Sequence, residues 1–141
     1  MNGRIYRWLC LGVVLAATAG CGGAAEEDTE YVLNGVGGAV TINGKPAPDG
    51  TIVTLHPKDG GGSGQQIFGT YISDENRYTI RTVKDGENYS GVAEGEYAIT
   101  VESPKTKPNA IPPKYGKPET SGLTFEVKKG LNQVPEIKVT P

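Results

Sequence analysis

Glu96-Tyr97-Ala98-Ile99-Thr100-Val101-Glu102 alternates apolar and polar side chains along its length. Successive side chains of an extended strand point to opposite faces, so a period of two marks a strand with one face buried. The segment therefore predicts a strand that buries Tyr97, Ile99 and Val101 and exposes Glu96, Thr100 and Glu102. The same alternation runs outward in both directions. Leu123 to Lys128 presents Leu123, Phe125 and Val127 on one side, and Val134 to Val139 turns Ile137 and Val139 inward. Upstream, Arg77 to Thr82 pairs Tyr78 with Ile80, Ile67 to Ile72 is a further strand, Thr51 to His56 pairs Val53 with Leu55, and Val40 alternates with Ile42 around Thr41. Asn43-Gly44 supplies a hairpin turn, because both residue types accept the positive φ angles of a type I′ turn. Asp74-Glu75-Asn76 is a second turn. Seven short strands rich in Val, Ile, Tyr and Thr, with no convincing helix, predict an all-β, seven-stranded antiparallel sandwich.

Two long connections interrupt this rhythm. Asp59 to Gln66 is glycine-rich and is expected to be mobile; it lacks the Lys-Ser/Thr that a phosphate-binding P-loop requires. Ser103 to Ser121 holds Pro104, Pro108, Pro112, Pro113 and Pro118, half of the chain's 10 prolines. Repeated proline removes donors and favours extended backbone. Ile111 and Tyr115 either pin this segment as a crossover between sheets or, with Tyr89, form a binding loop, since long loops on rigid scaffolds often carry function.

The N-terminus is of a different kind. Arg4 and Arg7 precede a short apolar run, Leu9 to Gly20, which ends in the small residues Ala16, Ala17, Thr18, Ala19 and Gly20 before Cys21. Positive, apolar and small-residue regions in that order form a secretory signal, and the run is too short to span a bilayer, which takes roughly 20 apolar residues. The cysteine after the small residues resembles a bacterial lipobox, with Thr18 standing where such motifs usually carry Leu. That resemblance implies cleavage before Cys21, lipid on its sulfur, and attachment to a membrane. Gly22 follows in place of Asp, so outer membrane or cell surface is favoured over inner membrane. Cys10 leaves with the signal, and a lone exported Cys21 can form no disulfide within its own chain. Residues 1–20 thus read as a lipoprotein signal peptide, 21–34 as a lipidated N-terminus with an acidic, disordered tether, and 35–141 as the sandwich.

Loss of Arg4 and Arg7 leaves 12 of the 14 basic residues against all 16 acidic ones, a net charge of about −4. That balance argues against nucleic acid and against electrostatic adhesion to anionic lipid. Catalytic chemistry finds little to build on. His56, the only histidine, has no Cys or carboxylate cluster beside it, there is no Gly-x-Ser-x-Gly elbow, and the acids fall on strand faces and turns. No cofactor or metal is implied. Trp8 goes with the signal, leaving Tyr71, Tyr89 and Tyr115 as the platforms on which a sugar ring would stack.

Four segments in order resemble a known family. GAVTINGKPAPDGTIVTLHP (38–57), TYISDENRYTI (70–80), GEYAITV (95–101) and the tail from Ile111 to Val139 are similar to carboxypeptidase regulatory-like, transthyretin-like domains, as found in small bacterial lipoproteins. Asn76 stands where the family most often has glycine, a substitution that a left-handed backbone tolerates. The resemblance implies a prealbumin-like Greek-key sandwich and no carboxypeptidase activity, since that domain is an accessory to a catalytic one. The sequence therefore leads to the expectation of a non-enzymatic, lipid-anchored structural or interaction module of the cell envelope, with an envelope protein as partner. The alternative is a module that binds carbohydrate or peptidoglycan.

Overall fold

The computed structural model describes residues 33–61 and 64–141. The lipidation candidate Cys21, the signal segment and most of the tether lie outside them. Among the described residues the chain is all-β, built from β1 (Val36–Gly38), β2 (Val40–Ile42), β3 (Lys45–Pro46), β4 (Ile52–Pro57), β5 (Gln65–Ile72), β6 (Arg77–Thr79), β7 (Arg81–Lys84), β8 (Glu87–Ser90), β9 (Gly95–Glu102), β10 (Leu123–Val127), β11 (Asn132–Gln133) and β12 (Ile137–Val139). Hydrogen bonding runs β10-β9-β4-β5-β6-β1-β11, with β7 and β8 branching from β5, and bends the sheet until it nearly closes into a barrel. A second sheet, β12-β2-β3, continues the line of β1 and β11.

The expected alternation holds where it was clearest. Tyr97, Ile99 and Val101 of β9 and Val53 and Leu55 of β4 are buried, and these two strands pair antiparallel from Ile52↔Glu102 to Pro57↔Tyr97. Burying Val, Leu, Ile and Tyr side chains is the main favourable contribution here, about 1.5–3 kcal/mol for each aliphatic one. Asn43 and Asn76 both take positive φ, 52° and 50°, as the turns require.

Three expectations change. The fold is not wholly antiparallel: β1 pairs with β11, and β2 with β12, in parallel. The chain returns to its starting edge by the turn between β10 and β11, Lys128 to Leu131, so β11 and β12 run in the same direction as β1 and β2. Strand Arg77 to Thr82 is broken at Ile80, so that β6 and β7 contact different halves of β5: Tyr71 and Ile72 pair with β6, Gln65 to Phe68 with β7. Finally, Thr100 is buried rather than exposed, and its Oγ1 shares a 3.0 Å hydrogen bond with His56 Nε2. Its outward-facing hydroxyl is covered by the neighbouring imidazole instead of by water.

The corner at β5 depends on Gly69. A Cβ at that position would lie 2.4 Å from the backbone oxygen of Thr79 and 3.1 Å from Ile80 Cδ1. The backbone between β6 and β7 therefore crosses directly over residue 69, and only glycine leaves room.

Tyr78 is packed beside this corner, 1 % exposed, with a hydroxyl that has no hydrogen-bond partner. Burial pushes its ionisation well above the ordinary value of 10.0. Tyr78→Phe is expected to match or exceed the wild type in stability at neutral pH, by up to about 1 kcal/mol, because an unsatisfied buried hydroxyl is lost. The pH dependence has a definite sign. A raised folded value favours the protonated form, so its contribution is complete below about pH 10 and is lost as pH climbs through the folded value. Alkaline denaturation curves should show the variant resisting high pH better than the wild type, and an identical alkaline midpoint would refute the assignment.

Candidate functional site

The strand registers give the molecule two poles. Leu33 lies at one of them, with the turns after Pro57, Lys84 and Val127; this is the N-terminal pole. The opposite pole holds the ends of β2, β5, β9 and β12 and the Ser103–Ser121 crossover.

The crossover is built from short local bonds. Ser103 Oγ accepts the Ile111 amide at 2.8 Å and closes the loop at its base. Turns follow in which Lys107 N donates to the Pro104 carbonyl and Ala110 N to the Lys107 carbonyl. Pro113–Gly116 forms a single 3-10 turn and Pro118–Ser121 a single α turn, α1. Each starts at proline, whose fixed φ suits a first helical position. Thr120 Oγ1 ties the two together by donating to the Lys114 carbonyl at 2.6 Å.

Ile111 and Tyr115 are 4 % and 7 % exposed, so both pin the crossover to the core. The Tyr115 hydroxyl accepts the Thr140 amide at 3.2 Å and lies 3.3 Å from Thr140 Oγ1, which joins the crossover to the C-terminus. Those two bonds from Thr140 favour the phenolate and hold the Tyr115 ionisation below its ordinary value. Lys114 Nζ stands 4.9 Å from the centre of the Tyr115 ring. The ring is thus occupied on its edge and covered on its face, and it offers no open platform for a sugar. Tyr71, another stacking candidate, is fully buried and donates its hydroxyl to Asn76 Oδ1.

What the crossover presents to solvent is a shallow groove of about 270 Å³ between Glu102, Ser103, Pro104, Lys105, Pro108 and Pro112. Around it Lys105, Lys107, Lys114 and Lys117 are exposed, against Glu119 in the same segment. The segment is basic in a chain whose overall charge is negative.

Tyr89 is elsewhere. It sits on β8, 38 % exposed, and its hydroxyl donates to Glu87 Oε2 at 2.9 Å, an interaction that raises its ionisation. It borders a small cavity with Leu33, Thr82 and Lys84 at the N-terminal pole. The three candidate binding-loop residues are therefore not brought together: Ile111 and Tyr115 lie at one pole, Tyr89 at the other.

Among the described residues no three His, Cys, Asp or Glu side chains gather in a cluster. His56 is taken up by Thr100 on the outer face of β4. Asp49 Oδ1 accepts the Ser73 amide and Glu75 pairs with Arg77, so Asp49 and Glu75 are engaged in holding the 73–76 turn. Among the described residues no helix is long and apolar enough to cross a membrane. Comparison with known proteins finds no matching family model, no matching curated protein and no matching solved structure.

Two features at the N-terminal pole were not legible beforehand. The β7–β8 hairpin turns on Asp85-Gly86, both at positive φ. Asp-Gly is a hairpin signal in its own right, but β8 has four exposed residues and no apolar alternation to attract notice. Leu131, 97 % exposed at the tip of the β10–β11 turn, breaks the pattern of a polar loop.

Proposed function

We propose that this chain is a lipid-anchored extracytoplasmic protein whose β-domain serves as a non-enzymatic interaction module of the cell envelope. The observation that carries the reading is the placement of the lysine- and proline-rich crossover at the pole opposite Leu33. A membrane tether leading to the N-terminal pole leaves the crossover facing away from the bilayer, available to a partner. The partner is an acidic envelope protein, drawn by Lys105, Lys107, Lys114 and Lys117. Within this reading the domain is a prealbumin-like Greek-key sandwich. Support comes from the two groups of strands, β10-β9-β4-β5-β7-β8 and β6-β1-β11 with their continuations β2 and β12, which share β5 at the corner. A glycan partner is the weaker reading, since Tyr115 and Tyr71 are buried and, among the tyrosines of the described residues, Tyr89 alone keeps an exposed ring.

The test is chemical cross-linking in intact envelopes, followed by detergent extraction and purification of the full chain. Replacing the four lysines with glutamate should abolish the cross-linked product while the circular-dichroism spectrum is unchanged, because all four side chains are exposed. A product that survives the four changes, or a glycan array on which the wild type binds in a Tyr89-dependent way, would overturn the partner assignment.

A further inference from the structure

Leu131 lies close to the point where the chain leaves toward its N-terminus. Gly130 N donates to Asn34 Oδ1 at 2.7 Å, and Leu131 Cδ2 lies 2.8 Å from where a Cβ on Gly35 would stand. The side chain is 97 % exposed, in contrast to the other leucines of the domain: Leu55 is buried, Leu33 and Leu123 half-buried. Its presentation is fixed. Asn132 Oδ1 accepts the Lys128 amide at 2.8 Å, and Asn132 Nδ2 donates to the carbonyls of Lys128 and Gly130. The backbone of the turn is thus held in place, and just before β11 it carries an aliphatic side chain in water.

We propose that this turn seats on the lipid bilayer, with Leu131 inserted into the headgroup–acyl boundary. The proposal rests on the anchored reading above. Cys21 and Leu33 are separated by residues 22 to 32, a stretch that spans at most about 40 Å between them even when fully extended. The pole that the tether reaches first is the one bearing Leu131. Tyr89, half-exposed beside Leu33, is at the same pole, and a ring with an apolar body and a polar tip suits a membrane interface.

Charge does not supply the attraction. The pole carries Asp59, Asp85, Glu87, Glu94, Glu96 and Glu126 against Lys58, Lys84, Lys128 and Lys129, and Lys58 and Lys128 pair with Glu96 and Glu126. The contact is apolar and should form on zwitterionic lipid without help from anionic headgroups.

A tryptophan reporter tests this, since Trp8 is the sole tryptophan and leaves with the signal. Full chains carrying Leu131→Trp, or Ile72→Trp at the opposite pole, are expressed, processed and reconstituted into phosphatidylcholine vesicles with brominated acyl chains. Emission from the Leu131→Trp chain should shift to the blue and be quenched by the brominated lipid, while the Ile72→Trp chain keeps the emission of a water-exposed indole. Adding anionic lipid should not increase the quenching. If the indole of vesicle-bound Leu131→Trp stays as exposed as that of Ile72→Trp, the seating is overturned and the anchor is left intact; equal quenching of the two chains has the same meaning. Protein that fails to float with vesicles overturns the anchor, and the seating with it.

Discussion

A chain carrying Gly69→Val is expected not to fold. The position is the corner at which β5 passes from β7 to β6, and the Thr79 carbonyl already occupies the space a side chain would need, at 2.4 Å from an added Cβ. That neighbour is backbone, held by the pairing of Thr79 with Gly37, so it cannot swing aside as a flexible side chain would. Overpacking a core costs about 1–3 kcal/mol, and more where backbone must shift. Gly69→Ala should therefore lower the stability by at least that range. Two further methyl groups against Ile80 add a cost that a domain with about 5–15 kcal/mol in hand does not survive. Thermal melts followed by circular dichroism would separate the three chains. An alanine variant that melts with the wild type would show that β6 is free to move, and would remove the steric account of the corner.

Cys21→Ala is expected to shift the protein wholly out of the membrane-bound pool, or to leave a precursor from which the signal has not been cut. Lipid on that sulfur would contribute about 0.8 kcal/mol per buried methylene, and stable attachment takes more than one chain. The proposed seating of Leu131 would be too small to compensate, because one leucine side chain amounts to about 1.5–3 kcal/mol when fully buried. Fractionation of cells into soluble and membrane pools, with mass spectrometry of the mature N-terminus, checks the result. Unchanged membrane retention of the alanine variant would discard the anchor.

The sequence was most informative where one face of a strand is buried and the other is wet. Tyr97, Ile99 and Val101 announce β9 because water and core impose opposite demands on alternate residues. The same reasoning could not find β8, whose residues are all exposed, or β1, where Gly37 and Gly38 carry no side chain to alternate. It also misplaced Thr100, since a period of two indicates which way a side chain points but not what the next strand lays over it. The direction of β12 was hidden for a related reason. Ile137 and Val139 alternate identically in a parallel or an antiparallel ladder, and only the path of the intervening loop decides between them. In the crossover, Ile111 and Tyr115 stood out as apolar residues in a run of Pro and Lys, and they became its attachment points. The lysines of the same segment stand together in the sequence as well. That they lie at the pole opposite Leu33 became visible only when the strand registers fixed which loops share an end.

The parallel pairing of β2 with β12 joins Val40–Ile42 to Ile137–Val139, segments that lie far apart along the chain. Synthesis proceeds from the N-terminus, so this seam has no second half until Val139 has been added. Until then the first strands have an open edge, and the long separation of the partners makes their closure slow. A chain cut short before Ile137 would leave the seam permanently ajar.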